Sequence, residues 1–320
     1  LWAEREVRAA SERFVRGLIT LPDDSIAAYH RAGACIHDLL ESLRAAELSG
    51  LPANEVAAAV RDVHALAARS ALISHIQRWP HGHPGDFEAI ESLIEGTVRT
   101  RDPAGRALEQ HLLLSPIAAR YRTQLGWQLD HLMNLPFQPM SRVLLIGSGA
   151  GIAPARLTSL LTRSVSRLVL NDGDGVALTL ARHRLSALGE ALVTVEGDVF
   201  RRVVEIAGHA PYDLILAVNA YDGLPDRQAA WLTARLSGML GPQGRLLVTY
   251  VAKGSAYGPW MRHILGWEPV ERDREEIVLL FGHALRNGDL TWEADPGGLA
   301  WGVTYTLGEG ASSTSTRETL

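Results

Sequence analysis

The stretch Arg142-Val143-Leu144-Leu145-Ile146-Gly147-Ser148-Gly149-Ala150-Gly151 decides how this chain is read. An apolar run of strand type ends abruptly at Gly147, glycine recurs at 149 and 151, and a helical pattern begins near Ala153. A strand, a glycine turn and a helix in that order bring backbone N–H groups close to a ligand at the start of a helix. Such a turn is a weak sign of nucleotide or nucleoside binding by itself. Its meaning depends on the residues found downstream at fixed distances.

From residue 140 onward, strand-like runs at 143–146, 167–170, 192–196, 214–218 and 245–251 alternate with helical segments at 153–163, 175–188 and 226–239. That alternation predicts an α/β fold with a doubly wound, mostly parallel sheet. Two further helical segments, near 259–266 and 272–285, precede strand-like runs at 290–293 and 300–307, joined by the turn Asp295-Pro296-Gly297-Gly298. Upstream, residues 1 to about 135 are rich in Ala, Leu, Arg and Glu, with apolar residues at helical spacing, as in Val56, Val60, Val63, Leu66 and Ala67. Turn signals fall at 21–24, 50–52 and 79–85, and Ser115-Pro116 reads as the start of another helix. The expected division is a helical domain over 1–138, a ligand-binding domain over 139–308, and a disordered tail over 309–320.

Composition narrows the partners. With 31 basic and 36 acidic side chains the net charge is −5, and no basic block stands out, which argues against nucleic acid. Cys35 is the only cysteine, so neither a disulfide framework nor a cysteine metal site is expected. Apolar residues make up 47% of the chain, enough for a sizeable core, yet no apolar run reaches the roughly 18 residues of a membrane span. A cytoplasmic protein acting on a small molecule, with no membrane partner, is the expectation.

In a doubly wound sheet, ligands bind at the carboxyl ends of the strands, so polar groups there carry weight. Asp172 ends the second strand and can accept from both hydroxyls of a ribose, while Asp174 is the more natural cap for the following helix. The third strand leads into Glu196-Gly197-Asp198-Val199-Phe200, where Asp198 can accept from an adenine amine and Val199 or Phe200 can pack on the ring. The alternative for Asp198 is an ordinary turn residue. The fourth strand leads into a polar cluster containing Asn219, Tyr221 and Asp222, at the place where a reacting group would lie.

Taken together, these features resemble the class I S-adenosylmethionine-dependent methyltransferases. The resemblance implies a Rossmann-like fold, a seven-stranded, mostly parallel sheet with a C-terminal antiparallel hairpin, and S-adenosylmethionine as cofactor. It carries cofactor binding onto Gly147, Ser148, Gly149, Gly151, Asp172, Asp198, Val199 and Asn219. One departure stands out: the family has an acid two residues before the first glycine, where it helps hold the amino-acid end of the cofactor, and this chain has Leu145.

The helical part also resembles something. His81-Gly82-His83-Pro84-Gly85-Asp86-Phe87 is similar to the Gly-Tyr-x-Gly-Asp-Tyr/Phe motif of a methyltransferase subgroup associated with fatty-acid methyl ester biosynthesis. Pro116-Ile117-Ala118-Ala119-Arg120-Tyr121-Arg122 and the hairpin 293–298 match two further patches of that subgroup. Tyr121 stands where the subgroup has asparagine, His83 where it has tyrosine, and 250–260 departs from its pattern. For Asp86, two uses are open: capping the helix after it, or accepting from the cofactor ammonium in place of the acid missing at Leu145. Arg120 or Arg122 could clamp a carboxylate or lie on a solvated helix face. His81 and His83 lack the further ligands of a metal site; His83 is a candidate base or a structural loop residue. His75, His111, His131, His183 and His209 read as fillers.

Three functions are compatible with these residues. The first is methyl transfer to a small acceptor; a carboxylate acceptor needs no base. The second is cyclisation of S-adenosylmethionine to azetidine-2-carboxylate with release of methylthioadenosine, for which Tyr121, Tyr221, Tyr250 and Trp260 could cage the sulfonium. The third is a non-catalytic cofactor-binding module. Tyr121, Tyr221, Asp86 and His83 are the candidate catalytic groups, and no metal is expected.

Overall fold

The computed structural model describes residues 2–136 and 140–308. The expected disordered tail at 309–320 lies outside the described residues. The chain divides into two compact units: residues up to Arg122 together with Gly254–Glu268, and Thr123–Lys253 together with the chain from Pro269 onward.

The first unit is helical. It contains α1 (Trp2–Ile19), α2 (Ser25–Leu48), α3 (Ala53–Ala59), α4 (Arg61–Ala67), α5 (Ala71–Arg78), α6 (Phe87–Glu95), α7 (Pro103–Leu114) and the start of α8 (Pro116–Met133). Val7, Ala10, Phe14 and Leu18 recur at three- and four-residue spacing and bury one stripe of α1, as Ala32, Ile36, Leu39 and Leu43 do for α2. The helices begin where side-chain oxygens meet orphan N–H groups: Asp24, Ser70, Asp86 and Asp102 each cap the helix after them.

A segment from much later in the chain completes this unit. It holds the short helix Gly258–His263, and Arg262 and His263 both reach Glu47 of α2, at 2.8 and 2.9 Å. Gln77 of α5 donates to the Ile264 carbonyl at 2.7 Å, and Trp260 packs on Phe14.

The second unit is built on one sheet: β1 (Ser141–Ile146), β2 (Val165–Asp172), β3 (Leu192–Glu196), β4 (Tyr212–Ala217), β5 (Leu240–Ala252), β6 (Glu271–Arg272), β7 (Gly288–Ala294) and β8 (Ala300–Leu307). The order is β3-β2-β1-β4-β5-β8-β7. The first five strands pair in parallel, and β8 runs antiparallel between β5 and β7. This is the Rossmann-like arrangement expected, with its closing hairpin. The two-residue β6, which pairs with β5 off the main path, is an addition to the seven strands expected.

The strand order reverses between β1 and β4, which makes their carboxyl ends the switch point where ligands of such sheets bind. One apolar face of the sheet, including Leu144, Ile215, Leu246 and Val303, packs with residues of Val199–Ala207, Asp226–Ser237 and Arg274–Phe281. The helix Val199–Ala207 is absent from the sequence expectations. Its Val-Phe-Arg-Arg-Val-Val run favours strand, but Asp198 caps its first turn by accepting from Phe200. The expected helix 153–163 is two, Ile152–Arg156 and Thr158–Ser164, broken at Leu157.

Candidate functional site

The glycine turn adopts backbone that side chains resist. Gly147, Gly149 and Gly151 have φ of 62°, 52° and 66°, all left-handed, and Gly151 opens the next helix. At Gly147 an added Cβ would touch the Cβ of Ala220, just past the end of β4, at 3.4 Å, an ordinary contact, so the backbone conformation is what favours glycine there. The carboxyl ends of β1 and β4 therefore meet at this turn.

Asp172 is tied to the same turn. Its Oδ2 accepts the Gly149 N–H at 2.7 Å and its Oδ1 accepts the Asp174 N–H at 2.9 Å. The residue is half-buried, hence reachable. Asp174 caps the helix Gly175–Arg184 through the N–H groups of Val176 and Ala177, the role expected of it.

The placement of Asp172 and Asp198 depends on a neighbour that sequence reasoning passed over. Asn171 is buried at the end of β2, and its Nδ2 donates to the Val195 and Gly197 carbonyls at 2.8 and 2.9 Å. Ser148 N–H donates to the Asn171 carbonyl and Gly197 N–H to that of Asp172. The ends of β1, β2 and β3 are thus fastened together by side-chain and backbone bonds. Asp198 is exposed beside this staple, and Val199 is half-buried.

Asn219 follows β4 with φ of 61°, a left-handed conformation uncommon outside glycine. Its N–H donates to Thr249 Oγ1 at 2.8 Å, while its Oδ1 is buried with no hydrogen-bond partner among the described residues. The left-handed backbone and the unanswered acceptor make Asn219 a candidate ligand-binding group. Tyr221, two residues on, points the other way. It lies in the core edge-to-face with Tyr250, with its hydroxyl 3.2 Å from Thr233. Burial pushes the Tyr221 hydroxyl above its ordinary value.

The remaining candidates belong to the helical unit. Asp86 is 1% exposed. It caps α6 through the Ala89 N–H at 2.8 Å, and its two oxygens lie 2.9 and 2.8 Å from His75 Nε2. These bonds account for its burial without a ligand, and they make His75 more than a filler. Gly85 has no room for a side chain because an added Cβ would overlap the Trp267 ring. Trp267 stacks on Tyr121, and the Arg120 guanidinium lies 4.5 Å from the Tyr121 ring centre while also bonding its hydroxyl. Arg122 donates to the Leu93, Ile94 and Leu113 carbonyls, so it holds chain segments rather than facing solvent. His83 is exposed. Among the described residues no group of three or more His, Cys, Asp or Glu is placed to hold a metal, and no helix is long and apolar enough to cross a membrane.

No family model matches this chain, and no curated protein does. Solved structures do. A possible exported protein from Bordetella parapertussis aligns over 96% of this chain and 97% of its own, at 15% identity and a TM-score of 0.56. Magnesium protoporphyrin IX methyltransferase from Synechocystis PCC 6803, solved with bound SAH, aligns over 73% of this chain and 97% of its own, at 12% identity and a TM-score of 0.48. The S-adenosylmethionine-dependent methyltransferase SibL, in its apo form, aligns over 96% of each chain at 16% identity and a TM-score of 0.47. At these identities the likeness is one of fold.

Proposed function

We propose that this chain is an S-adenosylmethionine-dependent enzyme that transfers a methyl group to a small acceptor, a carboxylate above all. The observation that carries the reading is the 2.7 Å bond from Gly149 N–H to Asp172, made within a turn whose three glycines are all left-handed. It fixes the half-buried Asp172 carboxylate beside the glycine turn at the switch point of the sheet.

The residues present suit the cofactor. Asp172 would accept from the ribose hydroxyls. Asp198 would accept from the adenine amine, with Val199 against the ring. Ser148 and the turn glycines would line the path between adenosine and sulfur, and Asn219 Oδ1 supplies an unanswered acceptor beside them. When bound, S-adenosylmethionine supplies an electrophilic methyl on a sulfonium, so the protein's task is alignment and exclusion of water. An ionised carboxylate acceptor carries no proton to remove, which fits a site whose neighbouring Tyr221, just past β4, is buried in the core.

The test is to incubate the full chain with S-adenosylmethionine, alone and with a panel of small carboxylic acids, and to identify the nucleoside product by mass. S-adenosylhomocysteine that forms only when an acid is present is expected. Methylthioadenosine without an acceptor would replace this reading by cyclisation. Cofactor binding with neither product would leave a non-catalytic module.

A further inference from the structure

Gln124 lies on α8, within the sheet unit, and is 1% exposed. Both ends of its amide, Nε2 and Oε1, are buried without a hydrogen-bond partner among the described residues. Buried polar groups are almost always paired, so an amide with neither end answered points to a missing occupant.

The register of α8 on the sheet says where that occupant sits. His131 Nε2 meets Thr304 Oγ1 of β8 at 3.1 Å. One turn back, Trp127 lies against Gly302, where an added Cβ would come within 3.0 Å of the indole. Gln124 is another turn back on the same helix face, which brings it level with the start of β8. There Ala300 pairs with Val251, at the carboxyl end of β5. Thr249 pairs with Gly302 in the same ladder, and its hydroxyl holds the Asn219 N–H. Ala220 in turn abuts Gly147. Gln124, Asn219 and the glycine turn therefore share one edge of the sheet.

The position from which the resemblance would draw an acid for the amino-acid end of the cofactor holds Leu145. Leu145 is 2% exposed and pairs with Leu170 and Leu216 inside the sheet, so no carboxylate can come from that position. We propose that Gln124, with Asn219, holds the amino-acid end of S-adenosylmethionine in place of the missing acid. The proposal rests on the cofactor reading above. A primary amide is both donor and acceptor. Nε2 donates to the α-carboxylate and Oε1 accepts from the α-ammonium, while Asn219 Oδ1 accepts a second ammonium proton. A neutral amide also spares the α-carboxylate the repulsion that an acid would exert.

The test compares two nucleosides by calorimetry on the full chain: S-adenosylhomocysteine, which carries the amino-acid end, and methylthioadenosine, which does not. Wild-type protein is expected to prefer S-adenosylhomocysteine. Gln124→Leu should lower that affinity about 10- to 100-fold and leave methylthioadenosine within twofold. Gln124→Leu removes unanswered polar atoms, so the fold should tolerate it, and the midpoint of thermal unfolding without ligand checks this. Gln124→Glu, nearly the same shape, should show the same selective loss. On wild-type protein, decarboxylated S-adenosylmethionine should bind more weakly than S-adenosylmethionine, a comparison that needs no variant. If the variants leave both affinities unchanged, or lower both equally, the amide is structural or water-filled and the assignment falls while the cofactor reading stands. Wild-type protein that binds neither nucleoside overturns both together.

Discussion

The two units use equally conspicuous sequence signals in opposite ways. In the sheet unit, the glycine turn and a half-buried Asp172 meet at strand ends. In the helical unit, the most distinctive residues are turned into packing. Gly85 makes room for Trp267, Asp86 caps α6 and grips His75, and Arg120 lies along Tyr121. Glu109 extends the pattern. It is 1% exposed and gathers the hydroxyls of Ser70 and Thr100 and the N–H groups of Arg99, Thr100 and Leu72. Burial alone would push the Glu109 carboxyl up, but these donors outweigh it and hold it below its ordinary value. Asp86 at the start of α6 and Glu109 in the middle of α7 are thus both answered by the chain itself, whereas Asp172 lies half-buried at a strand end.

The sharpest way to break that contrast is to remove one carboxylate from each unit. Asp172→Ala takes away the proposed ribose acceptor and unties Gly149, so affinity for S-adenosylhomocysteine should fall by about 100-fold or more. Titration calorimetry reads this directly, and unchanged affinity would remove Asp172 from the site. Glu109→Gln replaces an acceptor for five donors by an amide that brings its own N–H groups against them. Unfolding free energy in urea should drop by about 3 kcal/mol, with S-adenosylhomocysteine affinity within threefold. A large loss of affinity there would show that the helical unit's carboxylates do more than fold it.

The sheet was readable in advance because β1 to β4 and the second half of β5 carry short apolar runs closed by polar or glycine residues. The candidate residues at their ends, Gly147, Asp172 and Asp198, stood out because each follows such a run. What escaped depends on tertiary contact. His75 looks like any helical histidine, and its partner Asp86 is reached only because the 79–85 loop folds back. Gln124 reads as a polar helix residue, and only the docking of α8 on β8 buries it. The segment Gly254–Glu268 sits in sequence between two elements of the sheet unit, yet it joins the helical unit through Glu47 and Gln77, partners roughly 200 residues away. The helix Val199–Ala207 was hidden by its β-branched residues.

Acid should distinguish the units less sharply, since each buries a histidine. Burial, with the His37 charge, lowers His111 to about 4, and burial, with the Arg245 charge, lowers His131 to about 4. For a group whose pKa is depressed by folding, the unfolded chain binds the proton first. Their contribution is thus fully present above about pH 6.5 and lost as pH falls towards 4. Unfolding free energy should drop by up to about 3 kcal/mol for His111 alone across that window. His111→Phe should flatten the slope; an unchanged slope would mean that the imidazole is hydrated.

The smallest effect tests the role of the motif loop. Gly85 has an ordinary negative φ, so alanine there meets no backbone strain; the obstacle is the Trp267 ring alone. An overlap of that kind forces the ring or the loop to move, which typically costs about 1–3 kcal/mol. Because Trp267 stacks on Tyr121, the shift should pass into that pair, and the near-ultraviolet dichroism of the aromatic residues should change with it. Gly85→Ala is expected to lower the unfolding free energy by about 1–2 kcal/mol, with affinity for S-adenosylhomocysteine within twofold. The double variant Gly85→Ala with Trp267→Leu should lose less than the sum of the two single losses, since the smaller side chain vacates the space the methyl needs. Strict additivity would place the origin of the glycine elsewhere. A selective fall in nucleoside affinity would move this loop from the packing of the helical unit to the binding of the ligand.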